Sequence, residues 1–246
     1  MSWQRYNVSN KYFEHSTDNG ENWSLLDLTN QFSIDAVYNV RTYGAVGNGV
    51  TDDTSAIQAA IAAVNAVGSG TVFFPKGSYV CSALSIPQNC AVRFERGGLL
   101  KINSGQIVTF ENHSLDAPVD AQIFSGSGTV QGLKLVRPEW FGAKGNAKYF
   151  YGTLSASGTT FSMSQCSFVT ADIGKSIQIP GAGTAGGSYI GTIQSLNSGT
   201  SVVISPSVST TLTTGRVTYG TDDTVAIQTA STAASNILGS GTVQWR

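Results

Sequence analysis

The chain has 246 residues, 14 of them Lys or Arg and 15 Asp or Glu, with a formal net charge of −1, 28 glycines and 41% hydrophobic residues. Charged residues make up only 12%, about half the usual share, which excludes a solvated helical bundle or coiled coil. Near-neutral charge excludes the electrostatic footprint of a nucleic-acid or anionic-membrane binder, and no run of about 18 apolar residues offers a membrane span.

Residues 1–38 form an arm dense in aromatic residues, Trp3, Tyr6, Tyr12, Phe13 and Trp23. Aromatic residues enrich interface cores, so the arm is expected to dock on a partner. It lacks the apolar stretch of a signal peptide, which points to synthesis in a cytoplasm. Within it Ser16-Thr-Asp18-Asn-Gly20-Glu-Asn-Trp23 fits an Asp-box, a turn between two strands shaped by Asp and Gly.

From residue 39 the pattern changes. Thr51, Asp52 and Asp53 offer side-chain oxygens to the free N–H groups of a helix start, and carboxylates suit the positive end of its dipole. Ala56, Ile57, Ala60, Ile61 and Val64 recur at helical spacing, and Gly68 stands where a left-handed C-cap is wanted. Beyond it come short turn-bounded strands: Thr71–Phe74, Tyr79–Cys81, Val92–Phe94, Leu99–Ile102, Ile107–Phe110, Gln122–Phe124 and Thr129–Val130. Such spacing fits a sandwich or a stacked parallel coil.

The same string then returns in two pieces. Phe141-Gly-Ala-Lys-Gly145-Asn146 repeats Tyr43–Asn48, and Gly220-Thr-Asp-Asp-Thr-Val-Ala-Ile-Gln228 with Gly239-Ser-Gly-Thr-Val243 repeats the remainder. Thr221, Asp222 and Asp223 are therefore the second set of helix caps. The two pieces, 137–146 and 219–246, enclose a Ser/Thr/Gly-rich insert, 147–218, with strand candidates at Ser176–Ile179, Tyr189–Ile190, Thr192–Ile193, Ser201–Ile204 and Arg216–Tyr219. A small β-barrel or sandwich is expected there, and its Tyr149, Tyr151 and Tyr189 are candidates for stacking on sugar rings.

The residues Gly44-Ala-Val-Gly-Asn-Gly-Val-Thr-Asp-Asp-Thr54, the following Ala-Ile-Gln and Gly70–Pro75 resemble the opening motif of pectate-lyase-like, right-handed parallel β-helix proteins. The second copy, introduced by Val136-Arg-Pro-Glu-Trp-Phe-Gly142, is similar to the form found in bacteriophage tailspikes and tail fibres. Asn48 departs from the Asp frequent at that position. The resemblance implies a mainly β fold: a short right-handed parallel β-helix at 39–136 with an N-terminal capping helix, then a second cap split by the inserted β domain. It also implies a homotrimer on the virion tail, attached to other tail or baseplate proteins through the arm. Host surface polysaccharide would be met by regions beyond Arg246, where any depolymerase rungs are also expected.

Chemistry inside the chain is harder to place. Adjacent carboxylates at Asp52–Asp53 and Asp222–Asp223 could suggest a glycosidase pair, but capping explains both. Glu95, Glu111, Asp116, Asp120 and Glu139 are isolated acids, so no catalytic residue is assigned. Gly181-Ala-Gly-Thr-Ala-Gly186 matches a dinucleotide fingerprint but precedes a strand candidate instead of a helix. Two histidines, His15 and His113, and three scattered cysteines give no metal-ligand spacing, and no cofactor is expected. Cys81, Cys90 and Cys166 read as small buried apolar residues without disulfides.

Overall fold

The computed structural model describes residues 3–7, 12–16, 24–25, 36–113, 115–235 and 242–243. In the arm, β1 (Trp3–Asn7), β2 (Tyr12–Ser16) and β3 (Ser24–Leu25) form an antiparallel sheet. The Asp-box turn itself, between β2 and β3, lies outside the described residues, as do the side chains of the arm.

The body begins with β4 (Val37–Asn39), a 3-10 turn at Val40–Tyr43, β5 (Asn48–Asp52) and α1 (Thr54–Val67). Short strands follow: β6 (Gly70–Phe74), β7 (Gly77–Cys81), β8 (Leu84–Ile86), β9 (Cys90–Phe94), β10 (Gly98–Ile102), β11 (Ile107–His113), β12 (Phe124–Gly126), β13 (Thr129–Leu133) and β14 (Leu135–Val136). They sort into three parallel sheets, β4-β6-β9, β5-β7-β10-β12 and β8-β11-β13. From β6 onward the chain visits the three sheets in turn. Gly70 pairs with Cys90, Gly77 with Gly98 and Leu84 with Val108, so one circuit takes 20 to 24 residues. An isolated parallel bridge between Arg93 and Asp116 carries the first sheet into the third circuit.

Period-two burial explains why these segments are strands. Inward residues alternate along β6, β8, β9 and β10 and sit above like residues of the next circuit: Val72 on Val92, Leu84 on Val108, Ile86 on Phe110. Phe74 stacks on Phe94 at 4.7 Å between centroids, Phe94 meets Phe124 edge-on at 5.8 Å, and Phe124 reaches Phe141 at 5.2 Å. Burying each such side chain contributes about 1.5–3 kcal/mol. Gly132 lies at φ +85° against β11, where a Cβ would run into the Phe110 carbonyl oxygen. Helix α1 closes one end of this core with Ile57, Ala60, Ile61 and Val64 buried, and Gly68, at φ +99°, ends it by donating its N–H to the Val64 carbonyl.

After a second 3-10 turn, Pro138–Phe141, the chain leaves the stack for a separate unit. This is a closed antiparallel barrel in the order β15-β16-β19-β18-β17-β20, made from β15 (Lys148–Ser157), β16 (Thr160–Met163), β17 (Ser176–Pro180), β18 (Ser188–Ser198), β19 (Ser201–Ser205) and β20 (Leu212–Gly220). Its core, including Phe161, Ile177, Ile193, Val202, Val217 and Tyr219, is distinct from that of the stack. The chain then forms α2 (Thr224–Ser235), whose Ala230, Ala233 and Ala234 join the core of the stack. Finally β21 (Thr242–Val243) pairs parallel with β14, Leu135 opposite Thr242.

The molecule is mainly β, with a small barrel as the inserted unit. Several details differ from expectation. Val37 and Tyr38, read as the end of the arm, lie in β4 and pair with β6 of the stack, and β8 forms at Leu84–Ile86 where no strand was anticipated. The strand anticipated at Gln122–Phe124 forms at Phe124–Gly126, because the Ile123 N–H is taken by the Trp140 carbonyl and Gln122 bonds its own chain at the Phe124 carbonyl. Strand β20 runs to Gly220, so Tyr219 and Gly220 belong to the barrel and not to the second cap. The insert also has two strands, β15 and β16, that composition did not reveal.

Candidate functional site

The residues singled out at both helix starts form the same hydrogen-bonded unit twice. In the first copy Asp53 is buried, and its carboxylate accepts from the N–H groups of Val46 (2.6 Å) and Gly47 (3.1 Å). In the second copy Asp223 accepts from Lys144 and Gly145, both at 2.8 Å. Asn48 donates from Nδ2 to Thr51 Oγ1 (3.1 Å) and accepts the Thr51 N–H at Oδ1 (2.8 Å). Asn146 and Thr221 repeat both bonds at 3.0 and 2.8 Å. The preceding 3-10 turns match as well: each ends in a glycine near φ +100°, Gly44 and Gly142, whose N–H returns to the carbonyl of Arg41 or Glu139.

This geometry divides the expected capping roles. Asp52 and Asp222 accept the N–H of Thr54 (2.9 Å) and Thr224 (3.0 Å), the bond a helix start needs. Asp53 and Asp223 do not cap; their carboxylates turn to the glycine loop instead. Two N–H groups of that loop converge on each carboxylate, which compensates the burial of Asp53. Thr51 and Thr221 clamp to the preceding Asn. With Asn at 48 the amide donates and the Thr51 hydroxyl accepts; an Asp there would keep the pair with the direction reversed, the hydroxyl donating to the carboxylate. Sequence reasoning missed this function of Asn48 and Asn146, although their recurrence in both copies was the signal. Thr54 Oγ1 also bonds Asp52 and accepts the Ser82 N–H at 2.8 Å, tying the helix start to the stack. Side-chain and then backbone bonds from Thr54 hold the Asp52 carboxyl below the usual range, and those from Thr224 do so for Asp222.

The insertion point follows from the comparison of copies. Asn48 and Thr51 are separated by Gly49 and Val50; Asn146 and Thr221 are separated by the barrel. The barrel therefore occupies a two-residue loop tip, held at its neck by the same clamp.

Of the three tyrosines, Tyr149 and Tyr151 are 60% and 70% exposed on one face of β15. Tyr189 is only 4% exposed and donates its hydroxyl to the Pro206 carbonyl at 2.5 Å, so it is not available for stacking. Alternation along β18 turns Tyr189 into the barrel and Ile190 out.

Two hollows of about 310 Å³ flank the second cap. One, between stack and α2, is lined by Asp120, Gln122, Glu139, Lys144, Asp223 and Ile227, and Glu139 Oε2 is buried there without a hydrogen bond. The other, between barrel and α2, is lined among others by Ser176, Gln178, Ile190, Thr218, Thr221 and Asp222. The remaining acids serve the fold: Glu95 accepts the Lys76 N–H, Glu111 the Ser85 hydroxyl, and Asp120 pairs with Arg96 at 2.6 Å. No group of three or more His, Cys, Asp or Glu able to hold a metal occurs among the described residues. The Gly181–Gly186 motif leads through a short 3-10 turn into β18, without the helix a dinucleotide needs. All three cysteines are buried and outside disulfides, and burial pushes the Cys81 thiol up to about 12 and those of Cys90 and Cys166 up to about 11.

Residues 37–93, which run from β4 to β9 and include the first stapled helix, match the family model for rhamnogalacturonase A/epimerase, pectate lyase-like. The resemblance read from Gly44–Thr54 thus extends over this segment. Mannuronan C5-epimerase AlgE1 of Azotobacter vinelandii is 54% identical over 52 residues, which is 21% of this chain and 4% of the epimerase. Among solved structures, Geobacillus virus E2 ORF18 is similar with 23% identity and a TM-score of 0.27, over 56% of this chain and 34% of that one. The Pseudomonas phage phi297 tailspike gp61 is similar with 15% identity and a TM-score of 0.22, over 75% and 32%. The chain thus spans a small part of the epimerase and about a third of either viral chain.

Proposed function

We propose that this chain is the particle-proximal part of a phage tailspike or tail fibre, and that its parallel stack is the start of a right-handed β-helix. The observation that carries the reading is the duplicated stapled cap. One copy closes the stack at α1, and the other sets α2 across the far end while β21 resumes the parallel pairing on β14. A scaffold that closes one coil and opens another beside it suits a rigid adaptor. The arm would dock on tail or baseplate proteins, three chains would share the surfaces each short stack leaves exposed, and downstream rungs would meet host polysaccharide. The pectate-lyase-like match at 37–93 supports the same assignment.

Light scattering on the purified chain and phage assembly with residues 1–38 deleted test this reading. Trimers, and virions lacking the spike after deletion, are expected; monomers together with normal spike incorporation would refute it.

A second reading, polysaccharide modification, is favoured by the name of the epimerase matched over 52 residues. Incubating the chain with polymannuronate and following C5 inversion or unsaturated ends by proton NMR tests it, and an unchanged polymer rejects it.

A further inference from the structure

We propose that the outer face of the barrel, where Tyr149 and Tyr151 stand beside the hollow lined by Gln178, Ile190 and Thr218, is a binding site for the pyranose rings of a polysaccharide. The proposal does not depend on virion attachment or on trimer formation.

The barrel does not need these two rings for its own stability. Phe150 stacks on Tyr219 at 6.0 Å, Phe168 meets Tyr219 at 4.7 Å and Phe161 meets Phe168 at 6.2 Å, so its aromatic core is closed without them. Alternation places Tyr149 and Tyr151 outward, side by side and about 7 Å apart. Keeping two flat, largely apolar rings in water has no stabilising return within the fold.

Their neighbours supply the rest of the recognition chemistry. Tyr149 pairs with Thr218, Thr218 with Gln178 and Gln178 with Ile190, a single row across the adjoining strands β15, β20, β17 and β18. At about 4.8 Å per strand the row is about 14 Å long, room for more than one sugar ring. The hollow of about 310 Å³ is lined by Thr218, Gln178 and Ile190 of this row together with Thr221 and Asp222 of the second cap. A pyranose has an apolar C–H face that packs on an aromatic ring and a rim of hydroxyls that bond amides, hydroxyls and carboxylates. Tyr149 and Tyr151 suit the first, and Gln178, Thr218 and Asp222 suit the second.

Other occupants fit less well. Asp222 and Asp223 line the hollow and offset the exposed Arg216 that pairs with Tyr151, so the patch lacks the basic excess a phosphate backbone needs. A protein partner would want a continuous apolar centre, whereas Thr218 and Gln178 separate Tyr149 from Ile190.

The test is an array of purified bacterial capsular and O-antigen polysaccharides probed with the 246-residue chain, followed by calorimetry on the retained polymer. At least one polymer is expected to bind, with affinity reduced at least tenfold by Tyr149→Ala/Tyr151→Ala and by Gln178→Ala, and kept by Tyr149→Phe/Tyr151→Phe. Thermal unfolding of the exposed-site variants should match the parent, which separates lost binding from lost fold. No retained polymer, or one bound equally by the double alanine variant, overturns the proposal.

Discussion

Asn146 and Thr221, 75 residues apart, hydrogen-bond each other in both directions and reproduce the bonds that Asn48 and Thr51 make across a two-residue tip. The pair is thus the neck of the inserted barrel. Asn146→Ala and Thr221→Val should each destabilise the second cap by about 1 kcal/mol, and the double variant should cost little more than either alone. A double-mutant cycle by denaturant unfolding measures this; strictly additive effects would show that the pair is not coupled.

If the barrel is a guest on a loop tip, it can be removed. Replacing residues 147–220 with Gly-Val, the tip of the first copy, should leave a folded stack that keeps α2. Circular dichroism and a cooperative melt check this outcome. Loss of the melt would mean that the barrel holds up the second cap.

The aromatic ladder through Phe74, Phe94, Phe124 and Phe141 concentrates the packing of the stack. Phe94, in contact with two of these rings, is the position to truncate. Phe94→Ala should cost about 3–5 kcal/mol. Phe161→Ala in the barrel should have a similar cost in the barrel transition, with the stack unaffected, because the two cores are separate. Hydrogen exchange resolved by segment distinguishes the two.

Acid should act on the caps and on one barrel pair. The Asp52 and Asp222 carboxyls are held low by their Thr54 and Thr224 bonds. At Asp172 burial pushes the carboxyl up, but the Lys175 ammonium at 2.7 Å and the Val169 N–H outweigh it, and the net shift is down. Lowered values mean that the stabilisation is complete above the unfolded carboxyl pKa of about 3.9 and is lost as pH falls through the folded values. Melting temperature should therefore be flat from about pH 7 to 5 and fall below about pH 4. Asp172→Asn should remove about 2–3 kcal/mol from the barrel at neutral pH and flatten its acid limb. An unchanged acid limb would assign the loss to other groups.

The buried thiols give a simple check on integrity. With Cys81 near 12 and Cys90 and Cys166 near 11, thiolate is scarce at pH 8 and the sulfurs are covered. Alkylation by iodoacetamide should be negligible in the native chain and complete in urea.

Local signals were readable wherever one segment determined its own structure. Helix α1, with its 3.6-residue apolar period and Gly68 stop, is an example, and so are the strands read at Thr71–Phe74, Tyr79–Cys81, Val92–Phe94 and Leu99–Ile102, whereas the three-residue β8 was too short to be read. Duplication made the second cap readable across the insert. What escaped was decided by distant partners. Asp52 and Asp53 are chemically identical in sequence, and only the approach of the Val46–Gly47 loop assigns one to the helix and the other to the staple. Strand β15, KYFYGTLSAS, alternates in burial from Tyr149 to Ser157, but exposed tyrosines on its outer face and Gly152 on its inner one hide that period from a hydrophobic/polar reading. Tyr189 differs from Tyr149 and Tyr151 only by which side of the closed barrel its parity selects.

The stapled neck also bears on the order of folding. Bridging Asn146 and Thr221 through an unstructured 147–220 segment instead of a two-residue tip spans about five doublings of loop length, about 3 kcal/mol of closure entropy. A barrel already folded presents its first and last strands side by side, since Lys148 pairs with Tyr219, and removes most of that cost. The guest domain is therefore expected to fold ahead of the cap that surrounds it. Pulse-labelled exchange should protect β15 and β20 before α2; the reverse order would mean that the cap assembles around a still-open chain.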